Sequence, residues 1–516
     1  MPEQDLRLAE VMGAFTLACD LAFGFPLEKG VRTSLLATNL ARAHGLSAQE
    51  LADVYYTALL RFMGCTAFAH EETHLFGAGD DHSVRQAMFT ADLANPLPTL
   101  GRIVSTVARG AGPWNRALSV ARLLNPKVMA RHAASQCDAT LGFARLAGMS
   151  EGVIGALSHI CERWDGRGLP GGIAGEALSL PMRFVHLASI AEIYHREGGR
   201  EAALAEVRRR RGKHFDPALA DTFLKQGDAL LAELETTSVW EPFLAAEPAS
   251  RVRLHRKRLE ETALAFGRMV DLKSVFTLGH SEGVAELAVK AAERLGWDEP
   301  AKSRLRIAGL LHDAGVVSVP TGIWEKPGAL GPAEWERVRL HAYYTERILS
   351  QSEALRPLAS LAGAHHERME GSGYPKGTPS ALQTPEARLL ASCDAFQAMG
   401  QARAYRPARG PAEAAGLLQA EAKAGRLDAA SVSAVLEAAG QVTRALRGAW
   451  PAGLTDREVD VIRLIAAGKS NKEIGVALGI SPRTAQHHTI HVYGKIGGSS
   501  RAAAALFAME NGLLKK

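Results

Sequence analysis

The 516-residue sequence predicts an all-α protein: two tandem helical bundles followed by a small C-terminal domain of four helices. Three observations predict it. Apolar residues recur at spacings of three and four in PALADTFLKQGDALLAEL (Pro217 to Leu234) and VAELAVKAAERL (Val284 to Leu295), and little alternates with period two. ERWDGRGLPGG at Glu162 returns as ERMEGSGYPKG at Glu367, an offset of 205 (367 − 162), which marks a duplicated chain. After Gly453, four short segments each open on Ser or Thr and close on glycine, the punctuation of capped helices.

Taken in order, the first copy occupies residues 1–235. Its ALLRFMG (Ala58 to Gly64) lies against GLLHDAG (Gly309 to Gly315) of the second copy at an offset of 251 (315 − 64), so the first copy holds 46 (251 − 205) additional residues between the two landmarks. Between Thr236 and Ser250, Trp240, Pro242, Pro248 and mixed small residues interrupt the helical period, giving a linker over 236–257. The second copy follows at 258–445. A further break, RGAWPAG, with Pro451 between Gly448 and Gly453, opens a C-terminal domain at 446–516. Its helices read LTDREVDVIRLIAAG, NKEIGVALG, SPRTAQHHTIHVYGKIG and SSRAAAALFAMENG, with Thr455, Ser470, Ser481 and Ser499 as their caps.

Composition narrows the function classes. With 47% apolar and 22% charged residues the chain has the balance of a soluble globular protein, which excludes disorder and fibrous repeats. The net charge is only +5, too small for a surface that binds polyanions throughout, but nine Lys and Arg against five Asp and Glu lie from Ala449 onward. That tail is the nucleic-acid candidate. Five cysteines (Cys19, Cys65, Cys137, Cys161, Cys393) without a CxxC pair suit a reducing cytoplasm and no thiolate metal site. An acidic N-terminus and the lack of a run of about 18 uncharged apolar residues predict a cytoplasmic protein without a membrane span.

In the second copy His280, His312, Asp313, His341, His365, His366 and Asp394 spread over five helical segments. An ion that activates water needs neutral imidazoles and at least one carboxylate, which two ions can share. A single histidine is more often a surface or satisfied core residue, whereas seven such residues together point to a metal site.

LLHDAG, HAYYTERIL, HHERMEGSGYPKG and ASCDAF resemble the HD-GYP family of HD phosphohydrolases, from about Leu259 to Ala439. The resemblance implies an all-helical HD-type bundle that holds two or three divalent ions, often iron or manganese, and hydrolyses cyclic di-GMP to its linear product or to GMP. It implies that His280, His312 and Asp394 hold one ion and His341, His365 and His366 the other, with Asp313 bridging them. Gly373, Tyr374 and Pro375 would shape the loop over the nucleotide, and Arg403 and Arg406 would meet its phosphates through planar donor forks. Phe276 stands where trinuclear members carry glutamate, so two ions are expected. Val316 replaces the lysine usual after HDxG and removes a cation that stabilises the transition state. Gln397 and the QARAYR stretch also depart from the family pattern.

The first copy has Arg61-Phe62 where the second has His312-Asp313, Ile160-Cys161 where it has His365-His366, and Ser189 opposite Asp394. It is expected to be a degenerate HD-GYP-like domain that binds no metal there and is retained for packing, sensing or dimerisation. Its run Arg208 to Arg211 reads as a solvated helix end.

The segment from Leu454 to Ala504 resembles the LuxR-type helix-turn-helix along nearly its whole length. The resemblance implies that the helix after Ile480 enters the major groove of double-stranded DNA, with Ser481, Arg483, Thr484, Gln486, His487 and Thr489 outward, and that Lys472, Lys495 and Arg501 contact phosphates. Such domains commonly act as dimers on paired half-sites, so a homodimer is implied by analogy. The chain is therefore expected to be a transcriptional regulator fused to a metal-dependent phosphohydrolase for cyclic di-GMP or a related nucleotide. A catalytically weak nucleotide sensor controlling the DNA-binding domain is the alternative.

Overall fold

The computed structural model describes residues 6–64, 66–76, 81–90, 101, 104, 112–248, 253–440 and 450–514. Cys65 and Gly448, singled out above, lie outside them. The described chain is mostly helical, with one two-residue antiparallel ribbon pairing Leu6–Arg7 with Arg253–Leu254. Among the described residues, no helix is long and apolar enough to cross a membrane. The chain divides into a unit of residues 5–254 and a unit of residues 255–516.

The duplication is visible helix by helix. Lys29–His44 and Ala48–Leu60 of the first copy stand 251 positions (280 − 29) before His280–Arg294 and Glu299–Leu311 of the second. The carboxylate of Asp20 accepts from Gly30 N, and that of Asp271, at the matching place, accepts from Ser281 N. Downstream the 205-residue offset takes over. Glu162 accepts from the amides of Gly171 and Ile173, and Glu367 from those of Lys376 and Thr378. Each loop carries a cis X-Pro bond, Leu169-Pro170 and Tyr374-Pro375. A side chain at Gly168 or Gly373 would place its Cβ 2.4 Å from the backbone of Glu162 or Arg368, which is why both positions are glycine.

The expected linker is folded in its first part, which belongs to the first unit. Trp240–Ala246 is a helix whose Trp240 and Phe243 are buried, and Phe243 stacks on Tyr55 at 5.2 Å between ring centroids. Pro242 falls in the first turn of this helix, where its missing N–H leaves no bond unmade. The arginine run is likewise engaged at home: Arg209 and Arg210 pair with Glu206, and Arg211 with Asp221.

The C-terminal domain consists of helices Asp456–Ala466, Asn471–Leu478, Pro482–Ile496 and Arg501–Glu510. Thr455 and Ser470 close capping boxes with Glu458 and Glu473, and Ser481 caps the third helix through Thr484 N. The fourth cap is Ser500, which accepts from Ala503 N, and not Ser499; the first residue with helical geometry is therefore Arg501. Within this unit the last helix rests on Arg256–Asp271 of the second bundle. Gly279 N donates to Met509 Sδ at 3.2 Å, and Arg268 lies 3.7 Å from Glu510.

Candidate metal centre and DNA-binding face

Helix ends deliver most of the histidine–aspartate set. His280 opens the helix His280–Arg294, His312 and Asp313 stand where Glu299–Leu311 gives way to the short turn Ala314–Ser318, and His365 and His366 follow Arg356–Gly363. His341 and Asp394 project from the interiors of Pro332–Ser350 and Pro385–Gly400. A chain leaving a helix can aim adjacent side chains into one space, which consecutive helical residues, about 100° apart, cannot.

The structure brings all seven side chains together. Asp313 lies between two histidine pairs: Oδ1 is 3.6 and 3.5 Å from Nε2 of His341 and His365, and Oδ2 is 3.7 and 3.5 Å from Nε2 of His280 and His312. Asp394 Oδ1 meets His280 Nε2 at 3.1 Å, and its Oδ2 lies 3.7 Å from His366 Nδ1. Potential ligand atoms fall into three overlapping groups, His280, His312 and Asp394; His341, His365 and His366; and His312, Asp313 and His365, each within 4.8 Å.

The hydrogen bonds fit this set to metal ions. Nδ1 of His312, His341 and His365 each meets a backbone carbonyl three residues earlier, on Gly309, Val338 and Ala362. A proton on Nδ1 leaves the lone pair of Nε2 turned into the site, the tautomer that a ligating histidine needs. His312 Nε2 is buried without a hydrogen-bond partner, and Nε2 of His341 and His365 face each other at 3.1 Å. Two inward lone pairs cannot satisfy one another; a shared cation resolves both.

Electrostatics agree. Burial alone would raise Asp313, but His312, His365 and His341 hold it well below the usual carboxylate range. Burial is likewise overcome at Asp394, chiefly by the bond from His280. Burial pushes His341 down to about 4 and lowers His312 and His366, keeping these imidazoles neutral. Against burial, the carboxylates of Asp394 and Asp313 raise His280 and His365 respectively. Ionised carboxylates among largely neutral imidazoles are the ligand forms that divalent ions select.

Around this set, the Tyr374 ring packs 4.7 Å from that of His366, and Gly373 and Pro375 fix its loop. Arg403 is held by a bond to Phe276 O at 3.0 Å and lies in the field of Asp394 and Asp313. Arg406 does not fit the expected phosphate contact. Its guanidinium donates to the carbonyls of Ala398, Met399, Gln401 and Pro407 and so ties its own loop together. Gln401, to which the sequence reading gave no role, meets His280 Nδ1 at 2.9 Å through its Oε1 and fixes that ring.

On the helix-turn-helix, Lys472, Ser481, Arg483, Thr484, Gln486 and His487 are exposed. Thr489 is buried, contrary to expectation, and its hydroxyl bonds to Ala485 O and Asn471 Oδ1. Positions 485, 489 and 492, spaced by four and three, form the inward stripe of this helix. The outward stripe continues through Ile490 and His491, which the sequence reading missed; the His491 ring lies tilted beside that of His487, 4.5 Å between centroids. Lys495 and Arg501 are also corrected as phosphate contacts. Lys495 Nζ donates to Glu458 at 2.6 Å and Gly453 O at 2.9 Å, and Arg501 holds the carbonyls of Ile465 and Lys469 at the end of the first helix.

Comparison with known proteins agrees with this division. Residues 265–431 match the HD domain family and residues 452–508 the family of bacterial regulatory proteins of the luxR type. The chain is 32% identical over 410 residues to the 3'3'-cGAMP-specific phosphodiesterase 3 of Vibrio cholerae, covering 78% of this chain and 88% of that protein. A cyclic di-GMP phosphodiesterase of Thermotoga maritima is 36% identical over 138 residues, 26% of this chain and 38% of that protein. The crystal structure of a cyclic GMP-AMP specific phosphodiesterase from V. cholerae superposes with a TM-score of 0.59 at 28% identity, over 85% of this chain and 99% of that one. The chain thus belongs to the HD-GYP-like family of HD-domain proteins, homologous to the cyclic-dinucleotide phosphodiesterases, and carries a LuxR-type helix-turn-helix domain at its C-terminal end.

Proposed function

We propose that the protein is a DNA-binding regulator whose second copy hydrolyses a 3'3'-linked cyclic dinucleotide, cyclic di-GMP or the mixed guanine–adenine form, at a site for two divalent ions, iron or manganese. The observation that carries this reading is Asp313, with each carboxylate oxygen facing a different pair of buried histidines. His280, His312 and Asp394 would hold one ion, His341, His365 and His366 the other, and Asp313 both. Bound divalent ions supply neutralisation of the phosphodiester oxygens and activation of water. The chain's own residues do the rest. Arg403 offers a fixed cation to a nonbridging phosphate oxygen, and Gln401 holds the orientation of His280. The loop at Gly373, Tyr374 and Pro375 sets a planar ring beside His366, against which a base or ribose can pack.

Lys472, Ser481, Arg483, Thr484, Gln486 and His487, with Ile490 and His491, form the face offered to double-stranded DNA, and the protein acts as a homodimer on paired half-sites. The contacts of Met509 and Glu510 with Gly279 and Arg268, next to His280, give a route by which ligand at the second copy biases the DNA-binding domain.

The deciding experiment is chromatography of products after incubating iron- or manganese-loaded protein with each cyclic dinucleotide. Linear product or mononucleotide that disappears in Asp313→Ala supports the reading. Absence of product from a metal-loaded sample favours the second reading, a nucleotide sensor with negligible turnover. The observation behind that alternative is Val316, a buried apolar residue where the family carries lysine. For DNA, Lys472→Ala should weaken binding at every sequence and reduce the salt slope by about 1, read from titrations at several salt concentrations; an unchanged slope would remove Lys472 from the interface.

A further inference from the structure

The first copy carries, at the positions of the candidate metal ligands, a set of opposite charge. By the 251-residue offset Lys29 stands for His280 and Arg61 for His312; by the 205-residue offset Gln136 stands for His341, Cys161 for His366 and Ser189 for Asp394. Both carboxylates of the second site are gone, replaced by Phe62 and Ser189. What remains at its centre is two buried cations, Lys29 at 1% exposure and Arg61 at 6%.

Neither cation is hydrogen-bonded to a carboxylate among the described residues. Lys29 Nζ donates to the neutral Ser189 Oγ at 2.6 Å and faces the rings of Phe62, Phe89 and Phe25 at 4.4, 4.7 and 5.3 Å. Arg61 reaches Val185 O at 3.4 Å, packs 5.1 and 5.4 Å from the rings of Phe89 and Phe62, and its buried Nε has no hydrogen-bond partner. Of the acids that favour the Lys29 charge, Glu192 accepts from Arg32 and Arg196 with Oε1 while its buried Oε2 has no hydrogen-bond partner, and Asp20 accepts from Gly30 N with both oxygens. Burial pushes Lys29 down to about 7, with Arg61 and Arg196 opposing its charge and Glu192 and Asp20 favouring it. Burial also pushes Arg61 down to about 10. Charges withdrawn from water without a bonded counter-ion are destabilised, and an anion from outside would relieve both.

We infer that the first copy binds a phosphate-class oxyanion between Lys29 and Arg61, two side-chain cations at the positions of His280 and His312. The assignment of those positions rests on the metal-site reading above; the buried cations without a hydrogen-bonded carboxylate do not. Arg61 offers a planar donor fork and Lys29 three rotatable donors, the complement of a tetrahedral oxyanion. Burial does not argue against entry, because His280 and Asp394 of the second copy are as deeply placed. Cys161, at the position of the partly exposed His366, is itself partly exposed. The ligand is either free orthophosphate or the phosphate of a nucleotide, so the first copy would sense what the second consumes or releases.

The test uses the full-length chain with Asp313→Ala and Asp394→Ala, which removes the second copy's site. Equilibrium dialysis against orthophosphate, GMP and cyclic di-GMP should show one ligand per chain for at least one of the three, and which of them binds identifies the source. Adding Arg61→Gln or Lys29→Gln should weaken binding at least tenfold, and Ser189→Ala should change it less than twofold. No binding of any of the three ligands overturns the inference, as does binding that neither Arg61→Gln nor Lys29→Gln weakens. Should one of these variants fail to fold, the other decides, together with the rise in unfolding temperature that a ligand of the folded state gives the parental chain. Hydrolysis by the unmodified second copy is independent of this outcome, so failure here leaves the phosphodiesterase reading standing.

Discussion

The loop after Glu162 and the loop after Glu367 hold the same hydrogen bonds, the same glycine pressed on the backbone and the same cis X-Pro bond, yet the second borders seven side chains grouped for metal and the first, among the described residues, borders no such group. The HD-type bundle therefore does not depend on its candidate ligands. Helix lengths, Asp20 and Asp271 under their amides, and the glutamate-braced loop survive where His312-Asp313 has become Arg61-Phe62 and Asp394 has become Ser189. In the second copy, buried carboxylates and imidazoles form groups that could hold metal ions. In the first, buried side-chain cations and phenyl rings stand at the matching positions.

The comparison breaks most severely at Asp313. Asp313→Ala should remove metal and lower hydrolysis by about 10³-fold or more, while Ser189→Ala at the matching first-copy position of Asp394 should leave hydrolysis within about twofold; product formation under identical metal loading reads both. The two glycines sharpen the scaffold half of the comparison. Gly168→Ala and Gly373→Ala should each destabilise their unit by about 1–3 kcal/mol in denaturant unfolding, but only Gly373→Ala should also lower turnover. Equal loss of turnover would mean that the first copy participates in the chemistry.

The smallest effect concerns Lys29. Its folded value of about 7 lies below the ordinary 10.5, so between these values the unfolded chain binds more protons and stability rises with pH. The slope is at most about 1.4 kcal/mol per pH unit. Lys29→Met should flatten it, as read from the unfolding midpoint of the first unit from pH 7 to 10. A slope unchanged by the substitution would show that Lys29 keeps its charge through a partner.

Much of this was legible in the sequence because it rests on repeated or invariant chemistry: the two offsets, the adjacent His-Asp and His-His pairs, and the Thr455, Ser470 and Ser481 caps. What escaped lies in tertiary pairing. Lys29 and Gln136 belong to no motif and acquire meaning only through their partners, although the 251-residue offset already sets Lys29 against His280. Trp240–Ala246 was hidden by Pro242 and Pro248, since a proline in the first turn of a helix looks the same in sequence as one that ends it. Arg406, Lys495 and Arg501 look like phosphate ligands by residue type, but carbonyls and Glu458 already hold their donors. Thr489 differs from Thr484 only in its phase on the helix.

The most direct test of the contrast between the copies is the metal content of purified full-length protein beside Asp313→Ala and Arg61→Gln. The contrast predicts about two ions per chain in the wild type and in Arg61→Gln, and loss of bound metal in Asp313→Ala. Undiminished metal in Asp313→Ala, or metal lost with Arg61→Gln in a folded protein, would contradict it.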